Sequence, residues 1–207
     1  QVDRAEIQIH LDTVVNLDLV RSLQPDCLIV ATGGVPRPLI LDSSTPHGHV
    51  VQATEVLATR ESLTGEVVVV GGGIVGLDVA EVLSTTADRV TIIEKGSRAG
   101  SVLEWNLCKM RLASLRHYGV NIMLQSQLIR CERSAVIVCN PLEDEQRIQA
   151  DVLVLALGSV PDNPLPQLAG ALSCPQTFIG DCRNPAGLTE ALDQGRTAGR
   201  MSISHHA

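Results

Sequence analysis

The chain is nearly without aromatic residues: Trp105, Tyr118 and Phe178 are the whole set in 207 residues. A stacking platform for single-stranded nucleic acid needs several aromatic faces, so none can be built here. Basic charge is short as well, with Lys+Arg at 16 against Asp+Glu at 23 and a formal net charge of −7. Binding a phosphate backbone takes clustered Lys and Arg, so nucleic acid is excluded as a partner. Long apolar runs are also missing. The longest uncharged apolar stretch, Val67 to Leu77, is broken by glycines and falls well short of the roughly 20 residues that span a bilayer, so no membrane segment is assigned.

The six cysteines, at 27, 108, 131, 139, 174 and 182, contain no C-x-x-C pair. Without that pair they read as reduced core or near-surface thiols of a cytoplasmic protein. Cys182 stands apart because it follows Gly180 and Asp181, although no resolving thiol lies near it in sequence. His47 and His49 are spaced as two metal ligands can be, but the Pro46 to Val51 loop offers no Cys, Asp or Glu to complete a set. No metal site is assigned.

What the chain does have is Val, Leu, Ile and Ala. At 44% hydrophobic and 19% charged it can fill one large or two small cores. The richest stretch runs from Glu66 to Glu94, EVVVVGGGIVGLDVAEVLSTTADRVTIIE. Val67 to Val70 predict a strand buried on both faces. Gly71, Gly73 and Gly76 follow on the G-x-G-x-x-G spacing, which allows a tight turn, lets backbone approach a pyrophosphate and lets the next helix lie close to the strand. A helix from about Ile74 to Ser84 then aims its unpaired N–H groups and positive dipole end at the phosphates of a dinucleotide. Gly71, Gly72, Gly73, Ile74, Val75 and Gly76 are therefore the candidate phosphate contacts.

Val90 to Ile93 predict the next strand, and Glu94 at its end sits where an acid commonly accepts the ribose hydroxyls of NAD. Lys95 and Arg98 follow it. These cations suit the extra phosphate of NADP, whereas Glu94 repels it, and the balance favours NAD. A βαβ unit with glycines serving only packing is the alternative.

The remaining elements fall on either side. Ala5 to His10 alternates weakly, and Val14 to Leu23 fits either a strand and turn or a short helix. Asp26 to Val30 predicts a strand ending in Ala31-Thr32-Gly33-Gly34, and prolines mark a boundary after it. Pro46 to Val51 reads as a loop and Glu55 to Leu63 as a short helix. Leu103 to Tyr118 has helical recurrence, stopped by Gly119, with a strand from Val120 to Leu124. Trp105 and His117 are assigned to packing or surface roles. Leu128 to Glu132, Ala135 to Cys139 and Arg147 to Gln149 predict an antiparallel meander. Val152 to Leu157 then forms a buried strand whose exit, Gly158 to Asn163, parallels the exit after Val30, as if both left one inserted module. The tail ends in His205-His206-Ala207.

DCLIVATGGVPRP, VVVVGGGIVGLDVAEVL, VTIIEK, ADVLVLALGSVPDN and FIGDCRNPAGLTEALDQGRTAGR resemble, in order and spacing, the two-dinucleotide flavoprotein oxidoreductases. Within these the chain is most similar to the C-terminal region of multidomain old-yellow-enzyme relatives, of the 2,4-dienoyl-CoA reductase, NADH:flavin oxidoreductase and trimethylamine dehydrogenase type. The resemblance implies an α/β fold with residues 39–158 as a Rossmann-like NAD(P)-binding domain bearing a small antiparallel β-meander. Residues 1–38 and 159–207 become partial segments of an FAD-binding domain.

It further implies that Thr32 and Gly33 close the first FAD segment, that Gly158 walls the nicotinamide site, and that the Asp181 carboxylate of Gly180-Asp181 meets the flavin ribityl chain. On the residues alone, Asp181 caps the helix from Leu188 equally well. Asp78 matches a position where relatives carry Glu beside the nicotinamide. It is also expected in the first turn of its helix, where the dipole favours an acid. No second G-x-G-x-x-G exists in the chain, nor do a flavin-barrel domain or an iron-sulfur cysteine cluster. The expectation is a piece of a longer FAD-dependent NAD(P)H oxidoreductase, inactive alone, with its remaining N-terminal portion, NAD(P)H and FAD as partners. The cofactors carry hydride transfer, so no side chain is nominated as catalytic. The competing expectation is a dinucleotide-binding or docking module without turnover, lending one lobe to an FAD-binding partner.

Overall fold

A computed structural model describes residues 7–41, 46–60, 62–162 and 172–204, with side chains described to residue 201. Asn163, the tail from His205, and the first two residues of the Ala5 to His10 segment lie outside the described residues. The chain divides into two compact units, Pro36–Ser159 and the pair of segments Gln1–Val35 with Val160–Ala207.

The first segment holds α1 (Leu17–Leu23), β1 (Leu28–Val30) and β2 (Gly34–Pro36). The ambiguous Val14 to Leu23 stretch thus resolves as a helix. Asn16 decides this by capping it, its side chain accepting the Leu19 N–H.

The Pro36–Ser159 unit carries β3 (Val50–Gln52), α2 (Ala53–Thr59), β4 (Glu66–Val70), α3 (Ile74–Leu83), β5 (Arg89–Ile93), α4 (Trp105–His117) and β6 (Asn121–Met123). It continues with β7 (Gln127–Glu132), β8 (Ala135–Cys139), β9 (Glu145–Gln149) and β10 (Val152–Leu155). Five strands form one parallel sheet in the order β3-β10-β4-β5-β6. The valine run of β4 explains its central place, because successive side chains of a strand point to opposite faces. Val67 and Val69 enter a core shared with Val56 of α2, Leu77 and Leu83 of α3 and Leu115 of α4. Val68 and Val70 enter a second core with Leu128, Val136 and Val138 of the meander β7-β8-β9. The sheet lies between helices and meander, and each valine buried this way contributes roughly 1.5–3 kcal/mol.

The expected loop at Pro46 to Val51 is a correction: Val50–Gln52 is an edge strand, β3, paired parallel with β10. So short a segment carries no pattern of its own, and the neighbouring strand supplies its ladder. The helix expected over Glu55 to Leu63 begins earlier, at Ala53, and stops at Arg60 in the left-handed region.

The other unit completes itself with β11 (Ser159–Pro161), β12 (Gln176–Phe178), a 3-10 turn at Gly180–Cys182 and α5 (Leu188–Ser204). Here β1 pairs in parallel with β12, and β2 pairs with β11. The chain therefore enters the Pro36–Ser159 unit along β2 and leaves it along β2's partner, β11. Among the described residues the unit buries few apolar side chains, Val20, Val30, Cys182 and Ala198, and leaves Leu11, Val14, Leu188 and Leu192 exposed.

Candidate dinucleotide site

The site forms where β4 ends beside β5 and β10, at the C-terminal edge of the parallel sheet, the usual ligand edge of open α/β folds. Three consecutive glycines there meet three different demands. Gly71 turns the chain at φ +109, and a Cβ on it would stand 2.3 Å from the carbonyl oxygen of Ala156. Gly72 is gripped by the protein, its N–H donating to Glu94 Oε2 at 2.7 Å and its carbonyl accepting from the Gly100 N–H at 2.7 Å.

Gly73 is different. Its φ of −70 and ψ of −175 are open to any residue, and a Cβ built on it meets nothing within 4 Å. Nothing inside the chain requires glycine there. Space against bare backbone at the N-cap of α3 is what an approaching phosphate needs. The cap uses no side-chain hydrogen bond, which leaves the first helical N–H groups, at Ile74 and Val75, for an anion. Gly76, one turn on, packs the helix down: its Cβ would lie 1.9 Å from the Gly71 carbonyl oxygen.

Glu94, beyond β5, brings its half-buried carboxylate to this turn, Oε2 facing Gly72 and Oε1 accepting the Gly96 N–H at 2.6 Å. Each oxygen keeps acceptor capacity for a ribose hydroxyl. Lys95 is exposed. Arg98 donates to the Ser101 carbonyl at 2.8 Å and lies over the half-exposed Trp105 ring at 5.6 Å, with Lys109 above the same ring at 4.5 Å. Gly158 follows β10 with φ +78 and open space at its Cα, its carbonyl accepting the Arg37 N–H at 2.9 Å.

Asp78 lies in the second turn of α3, not the first, so the dipole gives no account of it. Its carboxylate pairs with Arg111 of α4, which also reaches Glu81 at 2.9 Å. Burial alone would lower the Arg111 pKa, but the hydrogen bonds and charges of Asp78 and Glu81 outweigh it and raise the value. From the sequence Arg111 falls on the wet side of its helix; its pairing with Asp78 was not readable because the α3 to α4 contact is tertiary. The Gly100 clasp on Gly72 was not readable for the same reason.

The other unit holds the second candidate group. Thr32 Oγ1 donates to the Asp162 carbonyl at 2.6 Å, and the Asp162 N–H donates to the Gly33 carbonyl at 3.1 Å. Gly180 has φ +66 and donates its N–H to Gln194 Oε1 at 2.8 Å. Asp181 Oδ1 accepts the Ala186 N–H at 3.3 Å, which closes the turn ahead of α5 and leaves the helix uncapped by it. Cys182 is buried, its thiol against the carbonyls of Val30 and Ile179.

His47 is also buried. Nε2 lies 2.9 Å from the Ala150 carbonyl, and the His49 N–H donates to Nδ1 at 3.1 Å. It ties β3 to the approach of β10 as a structural residue. Among the described residues no cluster of metal-ligating side chains occurs, and no helix is long and apolar enough to cross a membrane.

The sequence profile of the pyridine nucleotide-disulphide oxidoreductase family matches residues 1–194. The chain is 26% identical over 203 residues to the bilirubin reductase of Mediterraneibacter gnavus, covering 97% of this chain and 31% of that protein. It is 30% identical to the rubredoxin-NAD(+) reductase of Pseudomonas putida, over 75% of this chain and 45% of that one. Among solved structures, the 6-hydroxypseudooxynicotine amine oxidase of Pseudomonas geniculata matches with a TM-score of 0.80 at 25% identity, over 93% of this chain and 31% of that one. A 2-naphthoyl-CoA reductase matches in fold with a TM-score of 0.78 at 24% identity, over 94% of this chain and 29% of that one. The first relatives are thus about three times as long as the part this chain spans.

Proposed function

The chain belongs to the pyridine nucleotide-disulphide oxidoreductase family as an FAD/NAD(P)-binding region of flavoprotein oxidoreductases, and from that premise we propose a division of labour between its two units. The Pro36–Ser159 unit binds NAD(P), with NAD favoured. Gly73, Ile74 and Val75 give their N–H groups to the pyrophosphate, and Glu94 accepts the adenosine ribose hydroxyls. Gly158 leaves backbone bare for the nicotinamide end. In the other unit Thr32, Gly33, Gly180 and Asp181 supply part of an FAD site, completed by protein beyond this chain. Its thin core and exposed leucines support that reading. When both are bound, the cofactors supply the reaction, hydride transfer between nicotinamide and flavin.

The observation that carries the proposal is Gly73. Its backbone tolerates any residue and its Cα faces open space, so beyond a modest N-cap preference the fold does not call for the missing side chain, whereas a ligand does. Calorimetric titration of the chain with NAD+ tests it. Saturable binding is the expected result, and its absence at millimolar NAD+ would overturn the reading.

A further inference from the structure

We infer that Glu94 is a positioning residue for the glycine turn as well as a ribose acceptor, so that dinucleotide affinity depends on it even when the ribose hydroxyls are removed. The inference rests on the reading of residues 71–76 as the dinucleotide site. Its basis is the way Gly72 is held. Both polar groups of that residue are engaged, the N–H by Glu94 Oε2 at 2.7 Å and the carbonyl by the Gly100 N–H at 2.7 Å. A Cβ on Gly72 would stand 3.0 Å from the Cβ atoms of both Ala99 and Glu94, so the turn is also clasped sterically.

The carboxylate doing this is itself anchored. Glu94 donates its N–H to the Met123 carbonyl at 2.9 Å and accepts at its own carbonyl from the Ser126 N–H at 2.9 Å. Its other carboxylate oxygen is tied to the Gly96 N–H at 2.6 Å. Short bonds to an ionised acceptor are the strong kind. Since Gly72 is committed to Glu94, its N–H is not a phosphate donor, and that task passes to Gly73, Ile74 and Val75. The peptide joining Gly72 to Gly73 carries the first of those N–H groups, so whatever orients Gly72 aims the Gly73 N–H. Losing the carboxylate frees a glycine-rich turn to rotate, and the ligand must then restore its order at a cost in affinity.

The test compares NAD+ with its 2′,3′-dideoxyadenosine analogue on the wild-type chain and on Glu94→Ala and Glu94→Gln, together with amide hydrogen exchange of the peptide spanning Gly72 without ligand. Gln retains one acceptor oxygen and turns an amide donor toward the other N–H, so it preserves the volume while breaking one bond. The expected result is that both variants bind the dideoxy analogue about tenfold more weakly than wild type does, and that the Gly72 segment exchanges faster in both. Variants that match wild type on the dideoxy analogue and lose affinity only for NAD+ would confine Glu94 to the ribose and overturn the inference while leaving the dinucleotide site standing. Unchanged exchange would overturn it equally. A wild-type chain that binds neither ligand would overturn the site itself.

Discussion

Gly76 rests directly against Gly71: a Cβ placed on the first would lie 1.9 Å from the carbonyl oxygen of the second. The start of α3 therefore touches the end of β4 with no room for a side chain, and the helix axis can point into the turn. Gly73, three residues earlier, has no such contact. The fold requires Gly76 to be glycine and leaves space at Gly73.

Gly76→Ala is expected to destabilise the chain by about 3 kcal/mol, at the upper end for overpacking, because the obstructing atom is backbone and cannot swing aside. Gly73→Val should cost about 1 kcal/mol, the difference between glycine and a poor N-cap residue, yet abolish NAD+ binding by crowding the pyrophosphate. Thermal unfolding and calorimetric titration of both variants check this pair. Unchanged NAD+ affinity in a folded Gly73→Val chain would remove the site.

Glu94→Ser should shift preference toward NADP, because it deletes the negative charge that opposes the 2′-phosphate while Lys95 remains nearby. Both cofactors should weaken, since serine cannot hold Gly72 and Gly96 together. The Kd ratio of NADP+ to NAD+ is the quantity to measure, with a fall of about tenfold expected, equal to roughly 1.4 kcal/mol. An unaltered ratio would mean that Glu94 does not face the ribose.

The isolated chain is expected to purify without flavin. The residues proposed for FAD lie in a unit whose described part has one two-stranded parallel sheet, β1 with β12, and little buried apolar surface. An absorbance spectrum of the purified chain checks it, and a yellow preparation with stoichiometric flavin contradicts it.

Glu104 caps α4, its Oε2 accepting the N–H groups of Asn106 at 2.9 Å and Leu107 at 3.1 Å. Those two bonds, the Asn106 one foremost, hold its pKa below the ordinary 4.5. A carboxylate with a lowered folded pKa contributes stability above its unfolded value, and that contribution is lost as pH falls through the folded one. Wild type should therefore exceed Glu104→Gln in Tm at neutral pH, with the gap closing below about pH 4. A gap independent of pH would leave the capping charge without a role.

The valine run of β4, the glycine spacing after it and the acid closing β5 were all readable as local chemistry, because each depends on contacts between near neighbours or on a strand buried on both faces. The meander was readable for the same reason. The edge strand β3 was not, since Val50–Gln52 becomes a strand only by joining β10, about a hundred residues later. Asp78 shows the limit inside the site itself. Its place in α3 follows from the sequence, but its partner Arg111 is on another helix and is fixed only when α3 and α4 pack.

By itself the sequence determined that a G-x-G-x-x-G turn joins a buried strand to a helix and where along the chain it lies, because turn geometry and helix start are encoded within a few consecutive residues. Only the tertiary structure decided which glycine is left bare. The side-chain space of Gly71 is closed by Ala156 and that of Gly76 by Gly71 and Ala156, Gly72 is held by Glu94 and Gly100, and Gly73 alone in the G-x-G-x-x-G motif is open. That distinction depends on which atoms long-range folding brings within a side chain's radius, and spacing along the chain does not contain it.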